Sequence, residues 1–511
     1  MLVHIMDNDA YYYYLLAPLL LLLPTFLYRA FFSSRVDPGL LLPPGPWKLP
    51  VIGSLHHLVG ALPHSALRDL SRRHGPLMLL RFGENPVIIA SSAEAAKEIM
   101  KTHDINFCTR PLSSTLKVMG KHSTGIVFSP YGDQWRQLRK ICFLELLSAK
   151  RIASFRPVRE EEAIRFMRSI SSATMTEPLV NMSKMFAMYV TDTTVHAILG
   201  GRFKEHYTLL RYVEGAVQLV NGFTLPDLFP SSRLARALCS TLWKAEVFRD
   251  FLMAFMERVI AEHLETRRSS DVVHQEDLID VLLRIKGEGN LQFPLTMSDI
   301  KTVIFVSFFR WEGDSTTTLQ WAMAELMQNP SVMSRAQAEV RGAFMAQMKV
   351  TEEGLGDLSY LRCVIKETLR LHTPGPLLIP RECQHKCRIL GYDVPKGATV
   401  LVNAWAISRD PACWEEPEAF LPERFVGSSR DFKGNHFEFT PFDAGRRICP
   451  GMQFGMANIE LALASLLFYF DWSLPDGILP GQLDMIETMG VTASRKMDLW
   501  LRATVHVELP R

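Results

Sequence analysis

The segment Pro441-Phe442-Asp443-Ala444-Gly445-Arg446-Arg447-Ile448-Cys449-Pro450-Gly451 sets one cysteine in a short loop that bears glycine and arginine. A long apolar run, Met452 to Phe470, follows at once and reads as a helix. The first turn of a helix leaves backbone N–H groups unpaired and carries the positive end of the helix dipole, so a thiolate beside it is stabilised. The two arginines add positive charge suited to carboxylates. A cysteine held as an anion in this way is a good ligand for haem iron. A lone cysteine elsewhere is a small buried hydrophobe; the spacing F-x-x-G-x-R-x-C-x-G sets this one apart.

Other polar residues stand at helical spacing. Glu367 and Arg370 are three apart and share a helix face. Trp135 and Arg139 are four apart and share another, while Arg136 and Lys140 form a separate basic face. Thr296, with Asp299 three residues later, is a capping-box variant that opens a helix running to Gln328, where Asn329-Pro330 stops it. A helix of that length crosses a whole domain, and it carries the acid–alcohol run Asp314-Ser315-Thr316. A further helix spans about Tyr360 to His372 and stops at Pro374.

These elements belong to a chain of 511 residues in which 48% are hydrophobic, enough for a sizeable core. Its 56 basic and 54 acidic residues balance to +2, which excludes nucleic-acid binding through bulk charge. Eight scattered cysteines are no disulfide scaffold and point to a reducing compartment. Cys383, His385 and Cys387 have no second pair at zinc spacing and read as surface or strand residues. Tyr11 to Tyr28 is uncharged, rich in Leu and Tyr, and long enough to cross a bilayer. Arg29 and Arg35 behind it place the body in the cytosol. Leu42-Pro43-Pro44-Gly45-Pro46-Trp47 then reads as a stiff hinge. Val87 to Ala90 reads as a strand, Arg159 to Met167 as a helix with a Glu161–Arg165 pair, Arg267 to Asp277 as an exposed connector, and Val394 to Val400 as a hairpin turn.

Over roughly residues 40 to 505 these motifs resemble the cytochrome P-450 family, closest to its plant microsomal enzymes of specialised metabolism. The resemblance implies a mainly α fold with small β-sheets, divided into an N-terminal membrane anchor (1–36), a proline-rich hinge (37–49) and a haem-thiolate domain (50–511). It implies heme b with iron ligated by Cys449, in a loop that Phe442 and Gly451 help to shape. It implies propionate contacts from Trp135, Arg139, Arg381 and Arg447. Glu367, Arg370 and Arg424, the last from Pro422-Glu423-Arg424-Phe425, would form a buried structural network. Phe107, Gly375, Leu378 and Val491 would wall an apolar substrate pocket. Electrons would come from NADPH through a reductase docked on the basic face, at the endoplasmic reticulum membrane, with a single span and the catalytic domain in the cytosol.

Two places depart from the family pattern. Asp443 stands where glycine is common in the plant enzymes. On the long helix, an ungapped match puts Arg310-Trp311-Glu312-Gly313-Asp314 over A-G-x-D/E-T, in which the small pair admits oxygen and the acid and alcohol relay protons. Asp314-Ser315-Thr316 supplies an acid and alcohols displaced by one residue, about 100° around a helix, unless a local bulge restores the register. The expected activity is hydroxylation of a terpenoid or aromatic metabolite. The alternatives are an oxygen-independent haem-thiolate isomerase or dehydratase, and a haem-binding protein of impaired activity.

Overall fold

The computed structural model describes residues 39–511 apart from 122, 202–207, 209–214, 216–218, 220–223, 269–275, 491 and 511; the side chains of 266, 306–312 and 489 also fall outside the described residues. The anchor reading, residues 1–36, therefore lies outside them. Among the described residues no helix is long and apolar enough to cross a membrane.

Among the described residues ten helices run to nine or more residues: α1 (Pro63–His74), α2 (Asp133–Ile141), α3 (Arg156–Thr176), α4 (Met182–Leu199), α5 (Ser240–Arg268), α6 (Leu278–Glu288), α7 (Met297–Gln328), α8 (Pro330–Phe344), α9 (Ser359–Leu371) and α10 (Met452–Tyr469). The apolar run after Cys449 has no polar face, so α10 is buried at the centre, with Phe454, Leu461, Leu463 and Leu467 essentially without exposure. α7 crosses the molecule beside it and packs on α4 and α10. The capping box at its start is complete: Thr296 Oγ1 accepts the Asp299 N–H at 3.1 Å, and the Asp299 carboxylate accepts the Thr296 N–H at 3.0 Å. Its last turn ends at Asn329, whose N–H donates to the Glu325 carbonyl.

The strands of the described residues form four small sheets. β1 (Leu77–Phe82), β2 (Asn85–Ala90), β7 (Thr399–Val402) and β4 (Arg381–Glu382) form one sheet in the order β1-β2-β7-β4, with β2 and β7 parallel and Ile88 opposite Val400. β3 (Val180–Asn181), β11 (Trp500–Val505) and β8 (Phe470–Ser473) form a second. β5 (Cys387–Ile389) pairs with β6 (Tyr392–Val394), and β9 (Glu487–Met489) with β10 (Ala493–Arg495). The proline-rich stretch is bonded to β1 of the four-stranded sheet: the Pro44 carbonyl accepts the Leu79 N–H at 2.9 Å, and a Cβ at Gly45 would meet the Leu79 carbonyl oxygen at 2.1 Å.

Three local expectations change. The Val394–Val400 turn is not a hairpin: β6 pairs with β5, and β7 with β2 and β4, so the turn joins two sheets. Alternation of short apolar runs does not say which strand is the partner. Arg267 belongs to the last turn of α5, and Asp277 is buried as the cap of α6, its carboxylate accepting from Arg267 at 2.8 Å; a cap keeps a polar residue satisfied out of water. Cys383 is fully buried and only half of the Cys383–Cys387 pair stands in a strand. None of the eight cysteines is in a disulfide.

Candidate functional site

The cysteine loop folds back on itself before α10. Asp443 N–H donates to the Thr440 carbonyl, Ile448 N–H to Gly445, and Cys449 N–H to Phe442 at 2.9 Å. Gly445 has φ +67°, and a Cβ there would lie 2.1 Å from the Met100 carbonyl oxygen, so the close approach of the two segments demands glycine. Gly451 is the N-cap of α10, which leaves Cys449 just ahead of the unpaired N–H groups of that helix. The Phe442 ring packs edge-on against Phe432.

Arginines from four segments converge on this loop. Arg447 is buried and donates to the carbonyls of Cys108, Ile126, Val127 and Ser129. Its guanidinium lies 4.3 Å from the centre of the Trp135 ring, whose N–H donates to the Ile126 carbonyl at 2.9 Å. Arg139 donates to the Ile448 carbonyl at 2.8 Å, one residue before the cysteine. Arg381 uses Nη2 on the Asp443 carboxylate and the Ala444 carbonyl, while its Nη1 is buried without a hydrogen-bond acceptor among the described residues, 3.5 Å from Asp104 Oδ1. Arg110 donates from Nη2 to Asp443 at 3.0 Å and from Nη1 to the Ile379 and Pro380 carbonyls. Trp135 and Arg139 thus meet as their spacing predicts, and Arg381 and Arg447 join them. Arg110 and Asp104 were missed; Arg110 stands in a loop and Asp104 opens a helix of only four residues, Asp104–Phe107, so no periodicity marks either.

The electrostatics follow from this crowding. Burial, then Arg110, pushes Arg447 down to about 9. Burial raises Asp104. Burial would also raise Asp443, but Arg381 and Arg110 outweigh it and hold that carboxyl below its ordinary value. Cys108, also near these arginines, is pushed up to about 11 by burial and then by Asp104, so it stays a thiol.

Behind the loop, Glu367 is wholly buried and receives a bidentate pair from Arg370, both bonds 2.8 Å, and Arg424 Nε at 3.0 Å. Arg370 also donates to the carbonyls of Ser408, Pro417 and Ala419, and Leu421 N–H donates to Glu367. The three residues predicted to meet do so, with every strong donor matched.

α7 faces the loop from the other side. Its backbone is α-helical from Met297 to Gln328 with no π turn, so no bulge restores the register. The side chains of Arg310, Trp311 and Glu312 fall outside the described residues. Gly313, Thr317 and Trp321, four apart, turn toward the C-terminal hairpin: Thr317 Oγ1 lies 3.1 Å from Thr492 Oγ1, and the Trp321 N–H donates to the Ala493 carbonyl at 2.9 Å. Ser315 is buried toward α10, where a Cβ on Gly455 would come 3.4 Å from its Oγ. Thr316 Oγ1 is buried with no hydrogen-bond partner among the described residues. The Asp314 carbonyl accepts from Thr318 Oγ1. Phe107 is fully buried in the sheet-side core, against which Leu378, at φ +52°, also packs. A Cβ at Gly375 would meet only the Leu378 Cα, at 4.0 Å. Val491 lies outside the described residues.

Residues 43–496 match the family described as Cytochrome P450, and the chain belongs to that family. It is 48% identical to desmethyl-deoxy-podophyllotoxin synthase of Sinopodophyllum hexandrum, over 92% of this chain and 93% of that protein. It is 45% identical to premnaspirodiene oxygenase of Hyoscyamus muticus and 44% identical to 5-epiaristolochene 1,3-dihydroxylase of Nicotiana tabacum, each over 94% of this chain and 96% of the relative. A zebra fish cytochrome P450 solved with abiraterone shares the fold, with a TM-score of 0.74 at 23% identity, over 87% of this chain and 99% of that one. The chain is accordingly an oxidoreductase of the P450 monooxygenase class, and that class carries haem on a cysteine thiolate. The residues fit such a group. Arg110, Arg139, Arg381, Arg446 and Arg447 outnumber Asp104 and Asp443 in this cluster by three, and Arg381 Nη1 has a hydrogen to give. Two propionates would offset most of that excess.

Proposed function

We propose that the chain is a membrane-anchored haem-thiolate monooxygenase that hydroxylates an apolar specialised metabolite, a terpenoid or an aromatic. The observation that carries the reading is one cysteine at a helix start, ringed by arginines in excess over acids. Cys449 is the iron ligand in this reading, and Trp135, Arg139, Arg381 and Arg447 hold the propionates. Bound there, the haem supplies oxygen activation, which a thiolate ligand favours by donating electron density. The protein's share is positioning and protons. Thr316 Oγ1, buried and without a partner among the described residues, is the hydroxyl best able to hold and pass a proton; Asp314, two residues earlier and so about 200° round the same regular helix, reaches it only through an intervening group. Gly375 leaves room for substrate, and the apolar walls set its class.

Electrons reach the site from NADPH through a reductase that docks on the face of α2 bearing Arg136 and Lys140, since complementary charge steers such encounters. Residues 1–36 anchor the protein in the endoplasmic reticulum membrane, residues 37–49 set its angle, and residues 50–511 work in the cytosol.

The test is expression of the full chain with a reductase, followed by reduction, carbon monoxide and the Soret spectrum. A thiolate-shifted band that disappears in Cys449→Ser is expected; haem-loaded protein lacking that band would refute the ligand. Hydroxylated product should depend on NADPH. The uninterrupted α7 favours one second reading, an isomerase or dehydratase that needs no proton relay to oxygen; product formed without NADPH would select it.

A further inference from the structure

One buried acid in the arginine cluster enters the reading above only as a countercharge. Asp443 stands at φ +64°, in the left-handed region that suits glycine, and glycine is the residue common there in the plant enzymes that this loop resembles. The side chain is nevertheless buried and held from two sides by Arg381 and Arg110. Its Oδ1 also accepts the Ala444 N–H at 2.8 Å. One residue earlier, the Phe442 carbonyl accepts the Cys449 N–H at 2.9 Å. A carboxylate held by two guanidinium groups in a water-poor setting is a fixed charge. Here that charge is tied through one peptide unit to the segment that carries the thiolate, on a backbone poorly suited to any side chain.

Neither arginine depends on Asp443 alone. Arg381 keeps the Ala444 carbonyl, and Arg110 keeps the Ile379 and Pro380 carbonyls. Removing the carboxylate therefore changes the local charge by one unit without freeing either cation.

We infer that Asp443 sets the reduction potential of this protein's haem, its buried negative charge favouring the oxidised, more positive iron and making the first electron harder to accept. The inference rests on the reading of Cys449 as the iron ligand. Asp104 and the arginines stay in place around it, so the effect belongs to Asp443 and not to the cluster as a whole.

The test is a spectroelectrochemical titration of the full-length, haem-loaded protein in detergent, comparing wild type with Asp443→Gly and Asp443→Asn. Glycine suits the backbone angle and removes the side chain. Asparagine tolerates that angle and keeps the hydrogen-bonding shape without the charge. At one fixed poise the ratio of ferrous to ferric protein should rise roughly tenfold to twentyfold in both variants, as for one unit charge acting across about 10 Å at an effective dielectric near 20. The thiolate-shifted carbon monoxide band should keep its position. An unchanged ratio in both variants overturns the inference, as does a rise confined to the glycine variant, which would be a packing effect. Should Asp443→Gly fail to fold, Asp443→Asn alone decides. A wild type without the thiolate band would sink the Cys449 reading and this inference with it; an intact band with an unmoved ratio sinks the inference alone.

Discussion

Glu367 shows what a single residue commits this protein to. It is wholly buried and holds two arginines, of which Arg370 is itself wholly buried and cannot reach water if the carboxylate is lost. Glu367→Gln keeps the shape but leaves those cations without an anion. Breaking such a pair costs about 3–5 kcal/mol, so the variant should lose soluble yield and show a lower denaturant midpoint, with haem content falling in proportion to folded protein. Gly445 is as demanding for a steric reason. Its positive φ and the Met100 carbonyl 2.1 Å from a built Cβ leave no place for a side chain. Gly445→Ala should cost roughly 1–3 kcal/mol and lower the haem bound per folded molecule, measured as the Soret-to-protein absorbance ratio. Both residues were legible as motif positions, because the pattern around them is local. Arg110 and Asp104 were not, since nothing in their own neighbourhood says that a buried loop will need them.

At the scale of elements, α7 ties the site to the rest of the fold. Its start, its length and its stop were all readable, because capping and chain termination depend on neighbours in sequence. Thr296→Ala removes the side-chain acceptor of the capping box and should cost about 1 kcal/mol, seen as a lower urea midpoint at unchanged slope. What could not be read was which residues of α7 turn toward which partner. Thr317 meets Thr492 and Trp321 meets Ala493, contacts that join the helix to the C-terminal hairpin across 175 and 172 positions. Thr492→Val cuts the first of these at an element that borders the proposed pocket. The expected result is an altered product ratio with a melting temperature close to wild type. A change in melting temperature alone, with products unaltered, would make the contact purely structural.

The whole molecule is fastened near α7 by a buried acid–imidazole group drawn from four places. Glu487 of β9 accepts from or pairs with His64 of α1 at 3.0 Å and His372 after α9 at 3.6 Å, and His372 also meets Glu325 of α7 at 2.7 Å. Burial by itself would raise the Glu487 pKa, but His372 and His64 outweigh it and hold the carboxyl well below its ordinary 4.5. A group with a depressed folded-state pKa contributes stability that is complete above its unfolded value and is lost as the pH falls toward the folded one. The protein should therefore lose stability as the pH drops below about 4.5. Glu487→Gln should be less stable at pH 7 and show a shallower acid limb, checked by thermal melts between pH 3 and pH 7. Identical limbs in the two proteins would remove Glu487 as the cause.

By itself the sequence determined the chemistry that local spacing can encode. A cysteine ahead of an apolar helix, a capped helix of 32 residues and an acid three places before an arginine all act over a few residues, and all stand where they were read. Only the tertiary structure decided how charges balance. Arg110 and Asp443 lie 333 positions apart, yet they share a buried contact. The same packing assembles five arginines and two aspartates in and around one loop and leaves them short of negative charge. Burial makes that balance costly to violate, because charges taken out of water must find each other. The partner each one finds depends on how distant segments pack, which local spacing does not specify.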